Sequence, residues 1–193
     1  MDIGRVIRTH RKTRGITIEG LASGSGVSRA MVSDIERGVK NPTIKVVSQI
    51  AAALDLSVSD LLDERSAEAA SGLSILRAGE RRVLVDPESG VERHVLAPTF
   101  QRHGIEVLWY TIPPEQSTGN FPPHQVGVEE HITVVQGRLH ALLGLGNGKR
   151  EVTLERGDSM AFQADLTHEF RNLSAEPCHY FLIIDASRAG TRR

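Results

Sequence analysis

The sequence predicts an α+β chain of two domains. An all-α head of five short helices spans residues 1–65, a linker covers 66–75, and an all-β body covers 76–187. Three observations carry this reading. Apolar residues recur at helical spacing as far as Leu62. Beyond about residue 75 they form short runs broken by Gly, Pro and Asn. The charge also changes sign: residues 1–54 carry nine Lys/Arg and four Asp/Glu, and the other 139 residues carry 14 and 20. A basic head on an acidic body is what results when only the head meets phosphate.

At 193 residues, 39% apolar and 24% charged, the chain is long enough for two small cores. Its one cysteine, Cys178, rules out an internal disulfide and is expected as a small core residue. The N-terminus lacks the apolar region of a signal peptide, and no run approaches the ~20 apolar residues a membrane helix needs. A cytoplasmic protein with no membrane partner is expected.

In the head, Ile3, Val6 and Ile7 begin a first helix that ends by Gly15. Thr17 caps a second, in which Ile18, Leu21 and Ala22 face inward. Gly24-Ser25-Gly26 supplies a tight turn, and Ser28 caps a third helix that Gly38 closes before Asn41-Pro42. Its apolar stripe is Met31, Val32 and Ile35, which leaves Arg29, Ser33, Asp34 and Arg37 largely off it. Thr43 caps a fourth helix (Ile44, Val47, Ile50, Ala51, Leu54), and Ser57 caps a short fifth (Val58, Leu61, Leu62).

A tight turn between the second and third of five short helices is a helix-turn-helix arrangement. Ile3–Leu62 resembles the phage-repressor-like, xenobiotic-response-element family of regulators. The carrying residues are Arg11 and Gly15, Leu21-Ala22, Val27-Ser28, Ile35-Glu36-Arg37-Gly38, Asn41-Pro42-Thr43 and Ile50-Ala51 with Leu54. The resemblance implies a structural pair between Arg11 and Glu36. It also implies base reading from the exposed start of the third helix, by Ser28, Arg29, Ala30, Ser33 and Asp34. Arg29 suits a guanine edge and Ala30 a thymine methyl. Thr17, Arg37, Lys40 and Asn41 are placed for phosphates, which give affinity without sequence information. Ile18 stands where the family often has Gln, so that backbone contact does not carry over.

In the body, Val83–Val85, Ile105–Ile112, Ile132–Val135, Leu139–Leu145, Ser159–Phe162 and Tyr180–Ile184 read as strands. Gln136-Gly137-Arg138 and Gly146-Asn147-Gly148 read as hairpin turns. Many short strands at near-regular spacing imply a sandwich or barrel. Of eight histidines, His10, His94, His103, His140 and His179 fit ordinary loop or strand-flank roles.

Gly119-Asn-Phe-Pro-Pro-His124-x5-Glu130-x6-Gly137, followed by Gly157-Asp158-x9-His168-x3-Asn172, resembles the two motifs of the cupin superfamily. The resemblance implies a double-stranded β-barrel with His124, Glu130 and His168 as metal ligands. Strand alternation agrees: with Glu130 inward, Ile132 and Val134 are inward and His131 outward. Val126 replaces the family's second histidine, and Gln163-Ala164-Asp165 replaces its Pro-x-Gly. A His2Glu set with an open position suits a divalent metal, Zn2+ first, with Fe2+, Mn2+ and Ni2+ also compatible. A charged Glu130 is costly in an apolar barrel without a cation. An empty barrel whose histidines hydrogen-bond a ligand or their neighbours is the alternative. Trp109, Tyr110, Phe121, Phe162 and Phe170 are candidate walls of a ligand site, each also an ordinary core residue.

The combined architecture resembles helix-turn-helix regulators with a C-terminal cupin sensor. It implies a non-enzymatic, ligand-responsive transcription regulator that binds a double-stranded operator as a homodimer through its barrel. Two half-sites are needed because one short helix reads few base pairs. The expected effector is an amino acid or small carboxylate. A metal-dependent dioxygenase or isomerase with an accessory DNA-binding head is the rival reading.

Overall fold

The computed structural model describes residues 2–62, 75–97 and 104–190. The chain divides into two compact units, Met1–Ser66 and Ala67–Arg193. Residues 66–74 of the expected linker, residues 63–65 at the end of the predicted head, and His103 lie outside the described residues. Among the described residues no helix is long and apolar enough to cross a membrane.

The first unit holds α1 (Ile3–Thr13), α2 (Ile18–Ser25), α3 (Arg29–Glu36), α4 (Ile44–Ala53) and α5 (Val58–Leu62). Each begins on a side chain that accepts one of the free N–H groups of the first turn. Asp2 accepts from Arg5 N, Thr17 from Gly20 N, Ser28 from Met31 N and Thr43 from Val46 N. At α5, Ser57 Oγ accepts from Asp60 N while Asp60 Oδ2 accepts from Ser57 N, a reciprocal cap. Ile7, Leu21, Val32, Ile35, Ile44, Val47, Ile50, Leu54, Leu61 and Leu62 form the core, all but closed to solvent. Met31, expected on the apolar stripe, is only half-buried. Gly4 went unremarked in the sequence, yet a Cβ there would lie 1.9 Å from the Ile35 carbonyl oxygen. Only glycine lets α1 cross α3 that closely.

The second unit is two antiparallel sheets. Its strands are β1 (Arg82–Val85), β2 (Glu92–Val95), β3 (Ile105–Ile112), β4 (Glu129–Gln136), β5 (Leu139–Leu143), β6 (Arg150–Leu154), β7 (Ser159–Gln163), β8 (His168–Arg171) and β9 (Cys178–Asp185). The larger sheet runs β1-β2-β3-β9-β4-β7 and the smaller β6-β5-β8. Cys178 is buried, as expected of a small core residue, and burial pushes its thiol up to about 12. The sequence pattern showed six of these strands and missed β2, β6 and β8. Those three (ERHV, REVTL and HEFR) are mostly charged or polar, with one or two apolar residues each, and never form an apolar run.

Of the two expected hairpins, the one at Gly146–Gly148 joins paired antiparallel strands, β5 and β6, and the other is corrected. Gln136-Gly137-Arg138 joins β4 to β5, but these strands lie in different sheets, so it is a corner between sheets. Gly137 is required there: its φ is +77° and a Cβ would lie 2.8 Å from the Pro177 carbonyl oxygen. β5 and β6 do pair, but Gly146–Gly148 forms a 3-10 turn within a longer connection.

Strand alternation sorts the larger sheet into two faces. The buried face carries Arg93 in β2, Glu106, Leu108 and Tyr110 in β3, Tyr180 and Leu182 in β9, and Glu130, Ile132 and Val134 in β4. Trp109, Phe181, Ile183 and His131 are on the opposite face, less buried or exposed.

Candidate functional site

The exposed half of α3 presents Ser28, Arg29 and Ala30, with Ser33 half-buried behind them. Thr17, Arg37, Lys40 and Asn41 are exposed around this surface. Ser28 and Thr17 accept backbone N–H groups, which leaves each hydroxyl hydrogen to donate outward. Asp34 is half-buried and tied to Arg37 at 2.8 Å, with Lys40 at 3.8 Å. Its carboxylate therefore orients two cations of this surface, which fits it poorly for reading a base itself. Beneath them Arg11 donates through Nε to Glu36 Oε1 (2.6 Å) and through Nη2 to Oε2 (2.8 Å). Its Nη1 donates to the Ile16 carbonyl at 2.8 Å. This is the structural pair the resemblance implied, and it anchors α3 to α1.

Sequence reasoning missed Glu19. In α2, it accepts a hydrogen bond from Arg29 Nε, and both side chains are mostly exposed. Its own backbone N–H and the Arg29 guanidinium hold the Glu19 carboxyl below the usual carboxylate range. With Nε held, Arg29 keeps its terminal nitrogens for a guanine edge. Only the fold brings residues 19 and 29 together, so no local pattern could have shown it.

In the second unit His124, Glu130 and His168 converge, their donor atoms all within 4.8 Å of one another. Three elements place them. Glu130 is on the buried face of β4; His168 opens β8, its backbone paired to that of Phe121; and His124, before β4, is held by a bond from its N to the Ala164 carbonyl at 2.9 Å. Glu130 Oε1 lies 3.1 Å from His124 Nε2 and 3.4 Å from His168 Nε2. The other oxygen, Oε2, is buried with no hydrogen-bond partner. His168 Nδ1 meets the Leu166 carbonyl at 3.0 Å, so the proton belongs on Nδ1 and the lone pair on Nε2 points at the cluster. Burial pulls the His124 imidazolium's pKa down, but the hydrogen bond and charge of Glu130 outweigh burial and leave it raised.

These residues fit a divalent cation. Two imidazole nitrogens and one carboxylate are the donor types such an ion takes, and the unpartnered Oε2 is a buried anionic atom facing no donor. Val126, where the family has a further histidine, is exposed and its carbonyl accepts from Gly190 N at 2.8 Å. Asn172, the last residue of the second motif, is a structural pin. Its amide donates to the carbonyls of Ile112, Pro113 and Glu176 at 2.7–3.2 Å.

The five aromatic candidates divide. Phe121, Phe162 and Phe170 surround the His168 ring, with centroids 5.5–5.7 Å away. Tyr110 is buried on the same sheet face as Glu130 and stacks on Tyr180. Trp109 is excluded: on the opposite face of β3, it packs against His179 and Phe181. Trp109 and Tyr110 are neighbours in one strand, so period-two alternation puts only one of them inside, a signal the candidate set did not use. The remaining described histidines have ordinary partners, His94 with Glu92, His131 with Glu129, His140 with Thr153, His179 with Thr111 and His10 with Arg14.

Comparison with known proteins gives both halves the same reading. Residues 7–61 match the helix-turn-helix family and residues 108–184 the cupin domain. The chain carries a helix-turn-helix domain followed by a cupin domain. It is similar over nearly its whole length to the HTH-type transcriptional regulator SutR of Escherichia coli, with 26% identity covering 97% of this chain and 96% of SutR. The crystal structure of an HTH_3 family transcriptional regulator from Vibrio cholerae superposes with a TM-score of 0.75. It is 27% identical and covers 99% of this chain and 96% of its own. The iron(II) form of HppE, at 19% identity and a TM-score of 0.53 over 94% of this chain and 97% of its own, shares the fold.

Proposed function

We propose that this protein is a sequence-specific, DNA-binding transcriptional regulator whose cupin barrel senses a small metabolite through a divalent metal. The observation that carries the regulatory reading is end-to-end similarity, in the same two-domain order, to proteins named as transcriptional regulators. The head supports it chemically: α3 exposes Arg29 and Ala30 for base edges, with Arg37, Lys40 and Asn41 beside them for phosphates. The chain acts as a homodimer, because one helix of eight residues reads few base pairs and a second half-site restores specificity.

The metal reading rests on the orphaned Glu130 oxygen among two imidazoles. His124, Glu130 and His168 would hold the ion, Zn2+ or another divalent metal with the same ligand preference. When bound, the ion supplies positive charge and open coordination positions for a small ligand. Ligand binding regulates DNA only if it has different affinity for two arrangements of the dimer, so the sensor is a population shift.

Selection from a randomised duplex library with full-length protein tests the regulatory reading. A two-fold related consensus, relaxed at one base position of each half-site in Arg29→Ala, is the expected outcome; no enrichment over bulk DNA would refute it. The open positions at the metal also favour a second reading, a metal-dependent oxygenase or isomerase. Turnover of a bound metabolite by metal-loaded protein would establish that reading instead.

A further inference from the structure

The outer face of the larger sheet is apolar where an antiparallel sheet ordinarily turns polar residues to solvent. β3 (IEVLWYTI) and β9 (CHYFLIID), paired in the middle of that sheet, carry apolar residues in both phases. Leu108, Tyr110, Tyr180 and Leu182 fill the inner face, while Val107, Trp109, Phe181 and Ile183 fill the outer. Val83 and Val85 of β1 extend the outer set. Val83, Val85, Phe181 and Ile183 are four of the ten large apolar side chains exposed among the described residues, and no other surface gathers so many. Within the strands this face has no Lys or Arg, and its acids are confined to its ends, Glu129 and Asp185 at one and Glu92 at the other. The smaller sheet shows the opposite. Its outer face carries His140, Glu151, Thr153, Glu169 and Arg171, with Arg171 Nε donating to Glu169 at 2.7 Å. That surface is built for water.

Chemistry, symmetry and size point to one occupant. An apolar face needs an apolar partner, and among the described residues the head exposes one large apolar side chain, Val39, beside the DNA-facing Arg37 and Lys40. The body's other five, Ile75, Val126, Leu145, Val152 and Leu173, are scattered over separate loops and the smaller sheet. The described surface that matches this face is the same face of another copy. An isologous contact sets a patch against itself, which a neutral middle permits and a patch of one charge sign forbids. Six strands of four to eight residues, about 4.8 Å apart with about 3.4 Å per residue, make a face of roughly 600 Å2. Two such faces reach about 1,200 Å2, the lower end of the range for stable interfaces. At the centre Trp109 is already held, edge-on to Phe181 at 5.0 Å and stacked on His179 at 5.5 Å, so little side-chain freedom is lost on contact.

We propose that two copies of the chain associate through the outer faces of their larger sheets, packed face to face about a two-fold axis with Trp109, Phe181 and Ile183 at the centre. The proposal rests on the homodimer reading above and names its contact surface. It excludes the outer face of the smaller sheet.

Trp109 is the chain's single tryptophan, so its fluorescence reports from the middle of the face. Sedimentation of full-length protein gives the oligomeric state, and acrylamide quenching in the same samples gives the exposure of Trp109. A dimer with Trp109 protected is expected for the wild type and for Thr153→Asp, which adds a charge to the outer face of the smaller sheet. Ile183→Asp puts a charge into the contact twice. It is expected to raise the dimer dissociation constant by about a hundredfold or more and to open Trp109 to acrylamide. Should that variant fail to fold, wild-type protein diluted until it dissociates gives the same comparison. A monomeric wild type, with Trp109 open or covered by another part of its own chain, overturns the homodimer reading and this proposal together. A dimer whose Trp109 is as open as in the monomer, or one that Ile183→Asp leaves intact, overturns this proposal alone.

Discussion

Glu36 in the head and Glu130 in the barrel are both buried carboxylates, and their surroundings differ in one respect. Both Glu36 oxygens receive hydrogen bonds from a single guanidinium that is always charged. Glu130 has one oxygen shared between two imidazoles and the other facing no donor. The first is a finished structural device, complete within the chain. The second is left open within the chain, and on the metal reading proposed above a divalent ion closes it. A buried charge with its partner built in holds a fold together; one without marks where a ligand belongs.

Breaking the finished pair has the largest expected effect. Arg11→Ala leaves Glu36 buried without its counter-charge and is expected to cost about 3–5 kcal/mol. Loss of the far-ultraviolet helical signal during denaturation measures it, and a double replacement of Arg11 and Glu36 by Met and Leu should recover most of it. Without metal, Glu130→Gln should leave stability unchanged or raise it, because it removes an uncompensated buried charge. A loss comparable to that of Arg11→Ala would show that Glu130 is a structural partner like Glu36, and the contrast would collapse.

Adding the missing cation is the next effect in size. Zn2+ at about a hundredfold over its dissociation constant should stabilise the wild-type chain by about 2.7 kcal/mol. The same addition should leave Glu130→Gln unmoved in a thermal melt.

The DNA surface sharpens the comparison from the other side, since its charges are exposed. Arg29→Ala should cost about 1–3 kcal/mol and relax preference at one base position, whereas Lys40→Ala should weaken all sequences alike and lower the salt slope by about one. Glu19→Gln should relax the same base position as Arg29→Ala while slightly strengthening non-specific binding, since a negative charge leaves the surface. Binding to a panel of single-base operator variants separates these outcomes.

A further contrast, felt only above neutral pH, concerns Cys178. Its thiol is neutral in the fold up to about pH 12 but ionises near pH 9 when unfolded. The stabilisation this represents is complete below pH 9 and is lost as pH rises from 9 towards 12. At pH 8 the thiol should react with an aromatic disulfide reagent only after denaturation.

The head was legible almost to the residue. Its caps at Thr17, Ser28, Thr43 and Ser57 and the Arg11–Glu36 pair follow from local chemistry plus one resemblance, whereas Gly24 and Ser25, expected in the turn, extend α2 and leave Gly26 to close it. What escaped there is non-local: Gly4 against Ile35, and Glu19 beside Arg29. The barrel was legible in its motif residues and in the inward set Glu130, Ile132 and Val134. Strands β2, β6 and β8 escaped because each holds only one or two apolar residues among charged and polar ones. The corner at Gly137 read as a hairpin because a turn residue shows where a chain bends and leaves open which strand receives it.

Native mass spectrometry of freshly purified full-length protein tests the central contrast most directly. One divalent ion per chain is expected, lost in Glu130→Gln and retained in Glu129→Gln, the neighbouring residue, which faces the other way and hydrogen-bonds Gln163. A metal-free wild type under conditions that preserve non-covalent ions, or a bound ion indifferent to Glu130→Gln, would contradict the account.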